Sequence, residues 1–208
     1  MTTLNPNWKR SYFTLLIGQA ISLVTSGILQ IAIIFYLTEK TGSALVLSLA
    51  TLVGFLPQAI LGPFIGVWID RMSRKRVMIG ADLFIAFAGV ILAVVALFAQ
   101  PPVWFILAIL FLRSVGTAFH MPAFSAATPL LVPEDKLTKC TGFSQSITSI
   151  SHLVSPAAGA FFYVTWSLDK IVTIDIVGAV LACASVAIVH IPKYKADESA
   201  PARHLQKE

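Results

Sequence analysis

Six apolar runs of about 20 residues or more, each closed by a short polar break, constrain this chain more than any other feature. A hydrocarbon layer about 30 Å thick takes about 20 residues of helix at 1.5 Å per residue, and helices satisfy their own backbone hydrogen bonds there. The expected spans are 12–37, 45–68, 77–99, 103–126, 142–166 and 171–191. Residues 1–191 should therefore form one all-α polytopic membrane bundle of six helices, and 192–208 a flexible polar cytoplasmic tail. Only 12% of the residues are charged and 57% are hydrophobic, too little charged surface for a water-soluble domain of 208 residues. The first run, after Trp8-Lys9-Arg10, is too long for the core of a cleaved signal peptide.

Charge then sets orientation. Every Lys and Arg except Lys40, Arg113 and Lys170 falls in the N-terminal tail, the breaks near 70–76 and 133–140, or the tail after Pro192. Short loops rich in Lys and Arg stay on the cytoplasmic side, so both termini are expected there. The net charge of +5 is thus topogenic, and no nucleic-acid partner is expected. Trp8, Tyr12, Tyr36, Trp68, Trp104, Tyr163 and Trp166 lie near expected span ends, where interfacial aromatics gather. Cys140 and Cys183 form no redox or metal pattern, and His120 and His152 have no metal-ligand spacing. No Gly-x-x-x-x-Gly-Lys-Ser/Thr loop is present and no nucleophile has a paired base, so neither an enzyme, nor a metal, nor a cofactor is expected.

Polar residues inside the spans carry the functional signal. Gln19, Ser22, Ser26 and Gln30 recur at three- and four-residue steps and share one helix face, read either as a cavity wall or as interhelical hydrogen bonding. Ala50, Gly54, Gln58, Gly62 and Gly66 make a ladder of mostly small residues at four-residue steps, with Pro57 and Pro63 as kinks, suited to close packing. Asp82 is an acid near the cytoplasmic end of the third span, either functional or paired with the nearby basic loop. Arg113 lies ten residues past Val103, about 15 Å deep, where a lone cation is expensive and must face protein or water. His120 continues its face. On the fifth span Gln145, Thr148, His152 and Pro156 share a polar face, and Pro156 with Gly159 allows bending and tight packing. Asp175, near the outer end of the sixth span, is expected at the interface or paired with Lys170. Trp68-Ile-Asp70-Arg71 and Trp166-Ser-Leu-Asp169-Lys170 end the second and fifth spans on opposite sides, a faint sign of a three-plus-three inverted repeat.

With these residues placed, the chain resembles the N-terminal half of a major facilitator superfamily drug efflux transporter. Gly66-x-x-x-Asp70-Arg71-x-x-Arg74-Lys75 is similar to that superfamily's signature loop, with Ser73 where glycine is usual. Arg113 with Gly116 resembles the fourth-span arginine motif of proton-coupled members, and Ser155-Pro156-x-x-Gly159 the antiporter motif of span five. The stretches 37–44, 113–122 and 128–133 resemble bacterial macrolide efflux (Mef-type) proteins. The resemblance implies proton-coupled efflux of macrolide-like amphipathic drugs by alternating access, energised by the proton gradient. It implies a gating latch at Gly66, Asp70, Arg71, Arg74 and Lys75, and a transport or proton pathway through Arg113, Asp82, Gln19, Gln30 and His120. Packing and bending would fall to Gly54, Gly62, Pro156 and Gly159. The first span contains no acid, so Arg113 is expected to tune a carboxylate elsewhere, with Asp82 the nearest candidate.

The superfamily has two six-span halves with the substrate between them. This chain ends after six, so the expectation is a truncated or partial transporter that needs a second six-helix half, from another chain or by homo-oligomerisation. A non-transporting membrane assembly or regulatory component, or an inactive truncated half, is the alternative. Arg113 near the midplane favours transport, since a scaffold has no need to bear its cost.

Overall fold

The computed structural model describes residues 7–191, apart from the side chains of Val67, Asp70 and Arg71. Among the described residues are six helices and no strand: α1 Trp8–Thr41, α2 Ala44–Arg71, α3 Arg74–Phe98, α4 Val103–Leu131, α5 Glu134–Thr165 and α6 Leu168–Ile188. Each is long and apolar enough to cross a membrane. All the helices but α4 begin one to eight residues before the expected spans, and α1, α2 and α4 run three to five residues past their expected ends, because a helix continues through the interfacial zone where polar residues are tolerated, whereas α3, α5 and α6 stop one to three residues short. The expected tail at 192–208 lies outside the described residues.

The connections are two to four residues long, so successive helices are antiparallel. The α1–α2 corner shows how the sequence makes one. Gly42 takes the left-handed conformation at φ 58° and donates its N–H to Thr38 O, closing α1 before α2 begins two residues later. At the α4–α5 corner Pro133 precedes α5, and Glu134 and Asp135 stand in its first turn, favourable to the helix dipole.

Packing follows a three-plus-three pattern. α1 packs along α5 and α6, α4 packs along α2 and α3, and α3 packs along α6. Exchanging α1–α3 for α4–α6 maps each pairing onto another, as two structural repeats related by a two-fold axis require. Three helices are an odd number of crossings, so the second repeat is inverted. The close approaches use small residues. A Cβ on Gly159 of α5 would lie 2.7 Å from Ile31 Cβ and 3.0 Å from Ile28 O of α1. Gly178 of α6 faces Thr25, and Gly18 of α1 faces Ser185. Where lipid offers no hydrophobic drive between helices, such contact supplies the dispersion energy.

The buried apolar residues form two separate clusters. One, around Tyr12, Leu15, Ile69, Met78, Leu131 and Val189, sits toward the α2–α3 and α4–α5 connections. The other, around Leu29, Ile33, Leu37, Leu92, Ile106 and Ile171, sits toward the three remaining connections. Between them lies a polar layer.

Candidate functional site

The layer is built from four helices. On α4, Arg113 is 6% exposed, and on α6 Asp175 is fully buried. Arg113 Nη1 donates to Asp175 Oδ2 at 2.5 Å, and Ser26 of α1 donates its hydroxyl to Asp175 Oδ1 at 2.6 Å. Arg113 Nη2 reaches Ser26 Oγ at 3.4 Å. Each carboxylate oxygen thus has a donor, and the cation has its counter-charge. Gly89 of α3 leaves room beside the pair: a Cβ there would touch both Arg113 Nη1 and Asp175 Oδ2 at 3.6 and 3.7 Å.

Asp175 is therefore neither interfacial nor the partner of Lys170. The helix direction explains why. α4 and α6 start on the same side of the membrane, Arg113 ten residues into one and Asp175 seven into the other. Side chains on a helix lean toward its N-terminus, so a long Arg side chain recovers the difference of about 4.5 Å in depth. The sequence signal was an acid within the apolar run Ile171–Ile188, at nearly the depth of the arginine. Nor does Asp82 pair with the basic loop. It is 3% exposed on α3, with Oδ1 at 3.3 Å from His120 Nε2 of α4, not aligned as a hydrogen bond.

Asp82, His120 and Gln19 line one cavity of about 90 Å³ with Leu16, Leu23, Ser26, Ile85, Thr117, Phe124, Ser144, Ile147 and Thr148. Its walls come from α1, α3, α4 and α5, and Ser26 joins it to the ion pair. Gln19 Nε2, Asp82 Oδ2 and His120 Nε2 are buried there without a hydrogen-bond partner in the protein. The α1 stripe is thus partly a cavity wall, through Gln19 and Ser26. Gln30 is only half-buried and lies against Gly54 of α2, whose added Cβ would be 2.7 Å from Gln30 Nε2.

Other residues singled out by sequence lie apart. An added Cβ at Gly62 or Gly66 would meet nothing within 4 Å, whereas Ala50 and Gly54 are buried, so the close packing of the α2 ladder lies at its Ala50–Gly54 end. Gln145, His152 and Pro156 are exposed on α5. In the signature loop Lys75 donates to Ala187 O at 2.7 Å and Val189 O at 2.8 Å, capping the end of α6. Arg74 is 8% exposed at the start of α3. The side chains of Asp70 and Arg71 lie outside the described residues. Among the described residues no cluster of three or more His, Cys, Asp or Glu could hold a metal ion.

An inverted three-plus-three bundle with a charged layer at mid-depth is a transporter architecture. The sequence profile of the Major Facilitator Superfamily matches residues 15–207. The chain belongs to the Major Facilitator Superfamily. Membership makes it a multi-pass membrane protein of a transporter family rather than an enzyme family. Within the superfamily it is 61% identical to macrolide efflux protein A of Streptococcus pyogenes over 187 residues, 90% of this chain and 46% of that protein. It is 58% identical to macrolide efflux protein A of Enterococcus faecalis over 152 residues, 73% of this chain and 47% of that one. The multidrug efflux pump Tap of Mycolicibacterium fortuitum is 25% identical over 189 residues, 88% of this chain and 46% of Tap. The chain spans about half the length of the curated relatives it matches.

Proposed function

We propose that this chain supplies six helices of a drug efflux transporter that exports macrolide-like amphipathic compounds from the bacterial cytoplasm by alternating access, in exchange for protons. The buried Arg113–Asp175–Ser26 network carries the reading. A carboxylate locked to an arginine inside an apolar bundle costs desolvation energy without improving packing, and a proton on Asp175 cancels the pair. Protonation would break the pair with Arg113, loosening α4 from α6, while the neutral carboxyl can still accept from the Ser26 hydroxyl. One proton is thereby converted into a change of helix packing. The likeness to macrolide efflux proteins supports the substrate class, and the Lys/Arg distribution supports cytoplasmic termini.

The second half of the cavity would come from another six helices. Exposed Gln145 and His152 on α5, and Gly62 and Gly66 open on α2, give that partner a polar and close-packing face rather than a lipid-facing one. The test is retention of a labelled macrolide in cells making the chain alone or with the other six helices of a macrolide efflux protein, with and without a protonophore. Lower retention that the protonophore reverses supports efflux. Retention equal to that of empty cells in both settings, with the protein present in the membrane, favours the second reading: an assembly component docking through the same α2 and α5 faces.

A further inference from the structure

We propose that Ser26 is the residue through which Asp175 selects what the cavity between α1, α3, α4 and α5 binds: a hydrogen-bond donor while Asp175 is charged, an acceptor once it is protonated. The inference rests on the reading of Asp175 as the proton site and adds to it a residue and a chemical class. Ser26 belongs to both places at once. Its hydroxyl donates to Asp175 Oδ1 at 2.6 Å, Arg113 Nη2 lies 3.4 Å from its oxygen, and the same side chain lines the cavity. A serine hydroxyl has one hydrogen and two lone pairs. With the hydrogen given to Asp175 and one lone pair turned to Arg113, a lone pair is what remains for the cavity. A ligand N–H or O–H can use it; an ether or carbonyl oxygen cannot.

Protonation turns this round. A neutral carboxyl can hold a hydroxyl by accepting from it or by donating to it, and Arg113 decides between the two. The guanidinium lies against Oδ2, so a proton from solvent adds at Oδ1, the oxygen away from the cation. The new O–H then donates to Ser26 Oγ, and Ser26 must turn its own hydrogen elsewhere. The carbonyl one turn back, Ser22 O, already accepts from the Thr25 hydroxyl and from the helix itself. Arg113 offers only donors. The open direction is the cavity. Nor can α1 retreat instead: Gly178 of α6 lies against Thr25 and Gly18 of α1 against Ser185, with no room for a Cβ at either. The hydroxyl therefore responds by rotating. Facing Asp175 are Ser26 from α1, Gly89 from α3 and Arg113 from α4, and the cavity also carries Asp82 and His120. A donor ligand is held while Asp175 is charged and loses its bond when the proton arrives, the sign that exchange of drug for proton requires.

The test is ligand-observed NMR on the 208-residue chain in lipid nanodiscs, using pyrrole, an N–H donor with no acceptor lone pair, and tetrahydrofuran, an acceptor with no donor. Both are small rings suited to a space of about 90 Å³. Neither titrates, so any pH dependence belongs to the protein. The midpoint comes from the infrared band of the protonated Asp175 carboxyl, measured in Asp82→Asn to remove the other buried acid. The ratio of pyrrole to tetrahydrofuran affinity should be at least about fivefold higher above that midpoint than below it. Ser26→Ala should reduce the difference below about twofold, and Ser26→Thr, which keeps the hydroxyl, should retain it. Ser48→Ala, on the exposed side of α2, should leave it unchanged. A ratio indifferent to pH, a change of the opposite sign, or one that survives in folded Ser26→Ala would each overturn the inference and leave the proton reading intact. A carboxyl band that never titrates would sink the proton reading and this inference with it. Absent macrolide export with the pH-dependent ratio retained would sink the efflux reading alone.

Discussion

Arg113 on α4 and Asp175 on α6, 62 residues apart in the chain, hold each other at 2.5 Å between two apolar clusters. Neither side chain has another opposite charge within ion-pair distance among the described residues. The pair therefore stands or falls as a unit. Asp175→Asn should lower stability by about 3–5 kcal/mol, because it leaves Arg113 buried and uncompensated. Replacing both, as Arg113→Leu with Asp175→Leu, should recover most of that loss while abolishing proton-driven export. Unfolding in detergent and drug retention in cells separate the two effects. A double variant that still exports against a drug gradient would remove the pair from the coupling mechanism.

Gly159 and Gly62 were singled out by the same small-residue logic, and the structure gives them opposite surroundings. At Gly159→Ala the new methyl meets Ile31 and the Ile28 carbonyl of α1, so α1 and α5 must move apart. The expected loss is about 1–3 kcal/mol. At Gly62→Ala nothing lies within 4 Å, and the bundle should keep its stability or gain up to about 1 kcal/mol, since alanine is the better helix former. Thermal unfolding of the two variants side by side checks the contrast; an equal loss at both would mean that α2 is packed within the bundle in a way the structure lacks.

Lys75 ties the signature loop to the end of α6. Its ammonium bonds two carbonyls that the helix itself leaves without partners. Lys75→Met keeps the aliphatic stem and removes the cap, worth about 0.3–1 kcal/mol. Amide exchange at the end of α6 should quicken several-fold while exchange in α3 stays unchanged. Uniform quickening across the bundle would point instead to global destabilisation.

Orientation has a direct readout. With Cys140 and Cys183 replaced by alanine, Ser73→Cys should react with an impermeant thiol reagent only in inside-out vesicles. Ser43→Cys and Ser167→Cys, at the opposite end of the bundle, should react only in intact cells. The reverse pattern would overturn the reading of the Lys and Arg distribution.

What the sequence determined by itself is the set of helices and their alternation across the membrane. In hydrocarbon the backbone must satisfy its own hydrogen bonds, so run length alone selects helix, and short polar breaks between the runs turn successive helices antiparallel. It also placed Arg113 at mid-depth and named Gln19, Asp82 and His120, because polar groups stand out in an apolar run. Tertiary structure alone decided who meets whom. Asp175 reads as interfacial or paired with Lys170 because the apolar run begins at Ile171, whereas α6 begins at Leu168 and α4 carries Arg113 alongside it. For Asp82 the sequence left two readings, a functional acid or a partner of the basic loop, because charge in sequence shows proximity along the chain and not across it. Likewise the α2 ladder divided into a packed end at Ala50 and Gly54 and an open one at Gly62 and Gly66. A helical period fixes which residues share a face, but which helix covers that face depends on how six similar apolar rods cross, and their contacts are set by side-chain shape rather than by hydrophobicity.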